Sequence, residues 1–223
     1  MNMLLTTSEK TAAMLEQPLV IIVDDDDGVR MALKELMESV GLEAACFSSA
    51  QELAKVRLCE RPGCIVLDVR LPGISGLDFH CQLASTGIDK PVVFLTGHGD
   101  ISMSVQAMKA GAIDFLTKPV RDQTLLDAVM IGIARDVENR SVAQVTKIYV
   151  DRFNSLTPRE RQVFRGVANG QANKQIAYDL GISEITVKLH RTNTMRKMRV
   201  TSIGDAVRAW EAIPQTTRDR GVN

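Results

Sequence analysis

Between residues 19 and 135, five short apolar runs alternate with five stretches of helical periodicity, and few folds accommodate that order. The strand-like runs are residues 19–23, 43–47, 63–67, 91–95 and 113–116. Most are apolar from end to end and rich in Val and Ile, as strands buried on both faces of a parallel sheet must be. The helical stretches cover 29–40, 49–56, 75–83, 101–110 and 121–135. In the first of them Val29, Leu33, Leu36, Met37 and Val40 recur at helical spacing and stop at Gly41. Connections this short, with right-handed crossovers, predict an open, doubly wound sheet of the flavodoxin-like kind.

That pattern ends well before the chain does. A length of 223 residues suits one large or two modest domains, and 45% apolar residues exclude wholesale disorder. The net charge of zero conceals a split. Residues 1–150 carry 14 Lys/Arg against 20 Asp/Glu (net −6), and residues 151–223 carry 13 against 7 (net +6). An acidic half joined to a basic half predicts two domains with different partners, the basic one a candidate for nucleic acid. Cys46, Cys59, Cys64 and Cys81 show no metal-ligand spacing and read as reduced thiols of a cytoplasmic protein. Residues 1–17 lack the makings of a signal peptide and read as a flexible leader. No apolar run is long enough to span a membrane, so no membrane partner is expected.

Charge gathers where the strand-like runs end. Asp24, Asp25, Asp26 and Asp27 follow the first run, Asp68 the third, and Lys118 the fifth; Thr96 follows the fourth. In an open parallel sheet the first and third strands are neighbours at the switch point, where ligands bind. Three carboxylates converging there would repel one another without a cation, and hard oxygen donors suit Mg²⁺. Adding an ammonium and a hydroxyl gives the parts for phosphoryl transfer to an aspartate. Asp26 and Asp27 read instead as the N-cap and first-turn acid of the following helix. Extra capping charge is the competing reading for Asp24 and Asp25, as is a turn residue for Asp68 and a solvated lysine for Lys118.

These residues sit in motifs. Val23-Asp24-Asp25, Ile65-Val66-Leu67-Asp68 with Leu71-Pro72-Gly73-Ile74-Ser75-Gly76, Phe94-Leu95-Thr96-Gly97 and Phe115-Leu116-Thr117-Lys118-Pro119 occur in order, and the stretch resembles the receiver domain of two-component response regulators. Thr96-Gly97-His98-Gly99-Asp100 and Ala107-Met108-Lys109-Ala110-Gly111-Ala112 are similar to the FixJ-like subgroup. The resemblance implies that Asp68 accepts phosphate from a sensor histidine kinase. It also implies that Asp25, Asp68 and the backbone carbonyl of Arg70 bind Mg²⁺, with Asp24 acting through water. Thr96 and Lys118 would contact the phosphoryl oxygens, and Thr96 with Phe115 would form the switch.

The basic half reads as four short helices. Thr157-Pro158-Arg159-Glu160 is a helix start with proline at N1 and a capping box. Residues 173–180, a turn at Gly181-Ile182 and residues 183–198 have helix-turn-helix proportions. Lys188, His190, Arg191, Arg196, Lys197 and Arg199, with Thr186 and Thr192, give the second of these helices a basic surface suited to phosphates and base edges. Arg191 falls on an inward-leaning stripe with Val187, Thr194 and Met198. Trp210 reads equally as a core residue or a subunit contact.

Thr157-Pro158-Arg159-Glu160-Arg161-Gln162-Val163, Asn173-Lys174-Gln175-Ile176-Ala177 and Ser183-Glu184-Ile185-Thr186-Val187-Lys188-Leu189-His190-Arg191 resemble the LuxR/NarL-type DNA-binding domain. This implies Lys188, Leu189 and Thr192 near bases, Lys174, Arg191 and Lys197 near phosphates, and a dimer on an inverted repeat of double-stranded DNA. RNA polymerase is then a further partner. The expected organisation is a leader (1–17), a receiver domain (18–135), a linker that is either helix or flexible tether (136–152), a four-helix DNA-binding domain (153–213) and a disordered tail (214–223). Two rivals stay open at this point: a regulator that works without phosphate, and an aspartyl-phosphate phosphohydrolase. The second would want an acid two residues beyond its nucleophile, where Arg70 stands.

Overall fold

A computed structural model of the chain describes residues 17–55, 61–85, 90–97 and 101–219. The leader up to residue 16, Cys59, His98 and the last four residues lie outside the described residues. The chain divides into two compact units, residues 1–140 and 141–223.

The first unit is built on strands β1 (Leu19–Val23), β2 (Glu43–Phe47), β3 (Gly63–Leu67), β4 (Val92–Thr96) and β5 (Asp114–Thr117). All pair in parallel, in the order β2-β1-β3-β4-β5. Helices α1 (Asp27–Ser39), α2 (Ala50–Ala54), α3 (Gly76–Ser85), α4 (Ile101–Lys109) and α5 (Asp122–Asn154) intervene. The three central strands are buried along nearly their whole length, which is why their sequences do not alternate. Successive side chains point to opposite faces. Ile21, Ile65, Leu67 and Phe94 therefore enter one apolar cluster with Phe79 and Ala107, while Val20, Ile22, Val66 and Leu95 enter another with Met37, Leu125 and Val129. Cys64 is buried in the second cluster, where desolvation pushes its thiol up to about 12. β4 and β5 each lie one residue later than the sequence pattern suggests; at β4 the reason is Pro91, which has no N–H for the ladder.

Helix α5 runs through the whole stretch read as linker, so of helix and tether the structure gives helix. No glycine or proline interrupts the sequence between Ile133 and Thr157. Val145, Tyr149 and Phe153 recur every fourth residue and pack into the second unit's core. Tyr149 is thus a core residue although it lies in the expected linker.

The second unit adds α6 (Pro158–Ala168), α7 (Asn173–Leu180), α8 (Glu184–Met198), α9 (Ile203–Ala212) and α10 (Gln215–Asp219). Thr157 and Glu160 close the expected capping box on α6, and Ser183 and Ser202 cap α8 and α9. Gly181 ends α7 at φ 64°, the left-handed conformation that makes the sharp turn into α8. Trp210 packs edge-on against Phe153 and Phe164, with ring centroids 5.9 and 5.8 Å away, so it belongs to the core. The expectation of a disordered tail is corrected over residues 214–219. Pro214 starts the short α10, its carbonyl accepts from Thr217 and Arg218 amides, and the Arg218 guanidinium sits over the Trp210 ring. Among the described residues no helix is long and apolar enough to cross a membrane.

Candidate functional site

Two strand ends bring the predicted acidic residues together, and a third adds the lysine. Asp24 follows β1 and Asp68 follows β3, adjacent strands whose register pairs Val23 with Leu67. Carboxylate oxygens of Asp24, Asp25 and Asp68 lie within 4.8 Å of one another. Asp24 and Asp68 are buried and Asp25 is exposed, so the cluster opens to solvent on the Asp25 side. Lys118, after β5, reaches across the sheet edge. Its Nζ donates to Asp24 Oδ2 at 2.5 Å and to Asp68 Oδ2 at 2.8 Å. The Lys118–Pro119 peptide is cis.

Three carboxylates against one ammonium leave a formal charge of about −2 in a partly buried pocket. Burial pushes the Asp24 carboxyl up, even with Lys118 beside it. Burial alone would lower the Lys118 ammonium, but the hydrogen bonds and charges of Asp24 and Asp68 outweigh it and hold it above the ordinary lysine range. Hard oxygen donors, an excess of negative charge and an open side match a small divalent cation that keeps water ligands. The donor set here fits Mg²⁺.

The remaining predicted residues surround this cluster. Thr96 is fully buried at the end of β4, and its carbonyl accepts from the Lys118 amide at 2.8 Å. Phe115 is half-buried on β5, tilted against Phe94 at 6.2 Å between centroids. Arg70 contributes a backbone amide, which donates to Asp68 Oδ1 at 2.9 Å. Gly76 opens α3 so close to β3 that a Cβ there would stand 2.2 Å from the Asp68 carbonyl oxygen. Only glycine lets the helix approach the acceptor loop in this way. Asp26 caps α1 through the Val29 amide, and Asp27 is its first-turn acid. Arg30 carries no motif of its own, yet its guanidinium donates to the Asp24 carbonyl at 2.5 Å and pairs with Asp27. Its i,i+3 spacing from Asp27 is the one sequence signal it leaves.

In the second unit, α8 divides its predicted residues between two faces. Val187, Thr194 and Met198 are buried. Lys188, Leu189 and Thr192 are exposed, as is Lys174 on α7. Three others are engaged elsewhere. Lys197 donates to the buried Glu160 carboxylate at 2.7 Å, Arg191 donates to Asn173 Oδ1 at 3.0 Å, and the Thr186 hydroxyl lies 2.9 Å from that of the cap Ser183. The Lys197 charge is thus matched inside the unit, with its side chain still partly exposed. Burial alone would raise the Glu160 carboxyl, but Lys197 and the Thr157 amide bring it below the usual range.

Comparison with known proteins matches both halves. Residues 20–130 match the response regulator receiver domain, and residues 154–210 match the luxR family of bacterial regulatory proteins. The chain is 47% identical to nodulation protein W of Bradyrhizobium diazoefficiens, over 87% of this chain and 86% of that one. It is 43% identical to the transcriptional regulatory protein FixJ of Azorhizobium caulinodans, over 82% and 87% of the two chains. Among solved structures it is similar to the response regulator StyR, with 45% identity, a TM-score of 0.77 and coverage of 87% and 98%. Full-length FixJ from B. japonicum aligns at 34% identity, a TM-score of 0.51 and coverage of 87% and 96%. The family is one of transcriptional regulators, which removes the phosphohydrolase rival. With an acidic pocket at the carboxyl edge of a five-stranded sheet and a basic helix-turn-helix unit later in the chain, the chain belongs to the two-component response regulators that join a receiver domain to a LuxR-type DNA-binding domain.

Proposed function

We propose that Asp68 is the phosphoacceptor, that a sensor histidine kinase supplies the phosphoryl group, and that phosphorylation promotes dimerisation, release of the DNA-binding unit, or both. One observation carries this reading. Lys118 meets Asp24 and Asp68, which lie 94 and 50 residues away in sequence, in one pocket. A carboxylate so placed can attack phosphorus, forming an O–P bond as the N–P bond of a phosphohistidine breaks. Asp25, Asp68 and the Arg70 carbonyl would hold Mg²⁺, with Asp24 reaching it through water. Bound there, the ion would offset charge developing on the transferring group. The Lys118 ammonium and the Thr96 hydroxyl would take the phosphoryl oxygens, and Phe115 would follow Thr96 inward.

A phosphoryl group that favours one of two states by a few kcal/mol converts a rare conformer into the majority. Ile101, Val105 and Met108 on α4, with Met130 and Ile131 on α5, are exposed apolar residues suited to meeting a second copy. In the output unit Lys188, Leu189 and Thr192 would face bases while Lys174 and Arg191 approach phosphates, on an inverted repeat and with RNA polymerase as the downstream partner. The setting would be the cytoplasm. The full chain carrying Asp68→Asn should take up no labelled phosphate from a small-molecule donor in Mg²⁺ and show no phosphate-dependent dimer. Label persisting at full level on the variant would sink the assignment.

A further inference from the structure

The exposed face of α8 is more apolar than a basic helix needs to be. Ile185 is 80% exposed and Leu189, one turn later, 61% exposed. They share a face because they are four residues apart. Thr192 continues the stripe; its hydroxyl donates to the Lys188 carbonyl at 3.0 Å, so it offers outward a methyl and an acceptor oxygen but no donor. Two large aliphatic side chains held in water on the face opposite the buried Val187, Thr194 and Met198 contribute nothing to this unit's own core. Lys188 stands exposed beside them, and Arg196 and Arg199 are exposed toward the helix C-terminus.

The apolar residues occupy the N-terminal half of the stripe, the half of a recognition helix that meets base edges in the major groove. What an aliphatic side chain can recognise there is the C5-methyl group of thymine. Cytosine presents a hydrogen atom at the same position and an amino group beside it. We propose that Ile185, together with Leu189, reads thymine methyl groups and so sets the sequence preference of this chain. Lys188 supplies the hydrogen-bonding and electrostatic contact next to them. The inference rests on the DNA-binding reading above and adds to it a residue and a chemical group on the DNA.

The test uses the full chain and DNA enriched from a random pool. Each thymine of the enriched site is replaced in turn by deoxyuridine, which lacks only the methyl group, and affinity is measured at fixed salt. Loss of one buried methyl contact should weaken binding by about fourfold. At one or more thymines that loss should vanish in Ile185→Ala, which itself binds the unmodified site roughly five- to tenfold more weakly. The dependence on salt should be unchanged, since no phosphate contact is removed. Because Ile185 lies in water, circular dichroism should find the variant folded. Indifference to every deoxyuridine, or an equal loss in both proteins, overturns the inference while leaving DNA binding intact. Failure to enrich any sequence overturns the DNA-binding reading, and this inference with it.

Discussion

In the receiver unit the working side chains arrive from three strand ends and hold one another in a partly buried pocket, whereas in the output unit they stand along a single helix facing water. Lys118 illustrates the first arrangement and Lys188 the second. The first has both oxygen partners within 2.8 Å; the second is exposed on α8. Their difference separates two uses of charge. A buried cluster holds a geometry and can switch it, since removing one charge leaves others unmatched. An exposed stripe stores no such conflict and is free to meet whatever surface complements it.

A structural ion cluster at the opposite edge of the sheet should respond to mutation most strongly. The Lys90 ammonium donates to Asp136 Oδ2 at 3.3 Å and to the Arg61 carbonyl at 2.8 Å. The same carboxylate accepts from Arg140 at 2.9 Å and from the Gly63 amide at 2.8 Å. Burial holds the Lys90 ammonium below the ordinary lysine range, and Asp136 only partly restores it. Asp136→Ala would strand that charge and a β3 amide, at a cost of about 3–5 kcal/mol. Urea unfolding of the receiver unit within the full chain measures it. A loss below 1 kcal/mol would mean that water repairs the site, and that burial does not set the receiver half apart.

The next two variants probe the output half, where basic residues of similar appearance have different jobs. Lys188→Ala should lower affinity for the preferred DNA roughly tenfold or more, with unfolding unchanged. Lys197→Ala should do the reverse. By leaving the Glu160 carboxylate without its cation it should cost about 1–2 kcal/mol of stability and alter DNA affinity less. Equal effects of the two on DNA binding would erase the distinction between a matched and an unmatched lysine.

These residues also show how far sequence can be read. Asp24, Asp68, Thr96 and Lys118 are legible because a parallel sheet sends every strand end to one edge, so position along the strand predicts meeting in space. The order of the sheet and the turn at Gly181 follow from similar local rules. Pairings across elements do not. Nothing in the spacing of Glu160 and Lys197 says that α6 and α8 bring them within 2.7 Å, and the basic stripe looks uniform until the fold draws Lys197 inward. The tail is the converse case. Its polar composition reads as disorder, and only the Trp210 ring beneath Arg218 shows why a further turn forms. The linker's helix was half legible, since its period was visible and its partners were not.

The smallest effect expected concerns α9, whose start is secured by one half-buried carboxylate. Asp205 accepts from the Ser202 hydroxyl at 2.8 Å, from the Thr201 hydroxyl at 3.0 Å and from the Ser202 amide at 3.1 Å. The Ser202 and Thr201 hydrogen bonds hold its pKa at about 2, well below the usual carboxylate range. A carboxyl depressed in the folded state binds its proton more readily once the chain unfolds. Its contribution is therefore complete above the unfolded value of about 3.9 and disappears as pH falls through about 2. Wild type should melt above Asp205→Ala at neutral pH, and the gap should narrow below pH 4 wherever both remain folded. A gap that stayed constant to the acid limit would assign the effect to packing. In that case even the surface charges of the output half would not be acting as charges, and the contrast with the receiver pocket would have to be redrawn around shape.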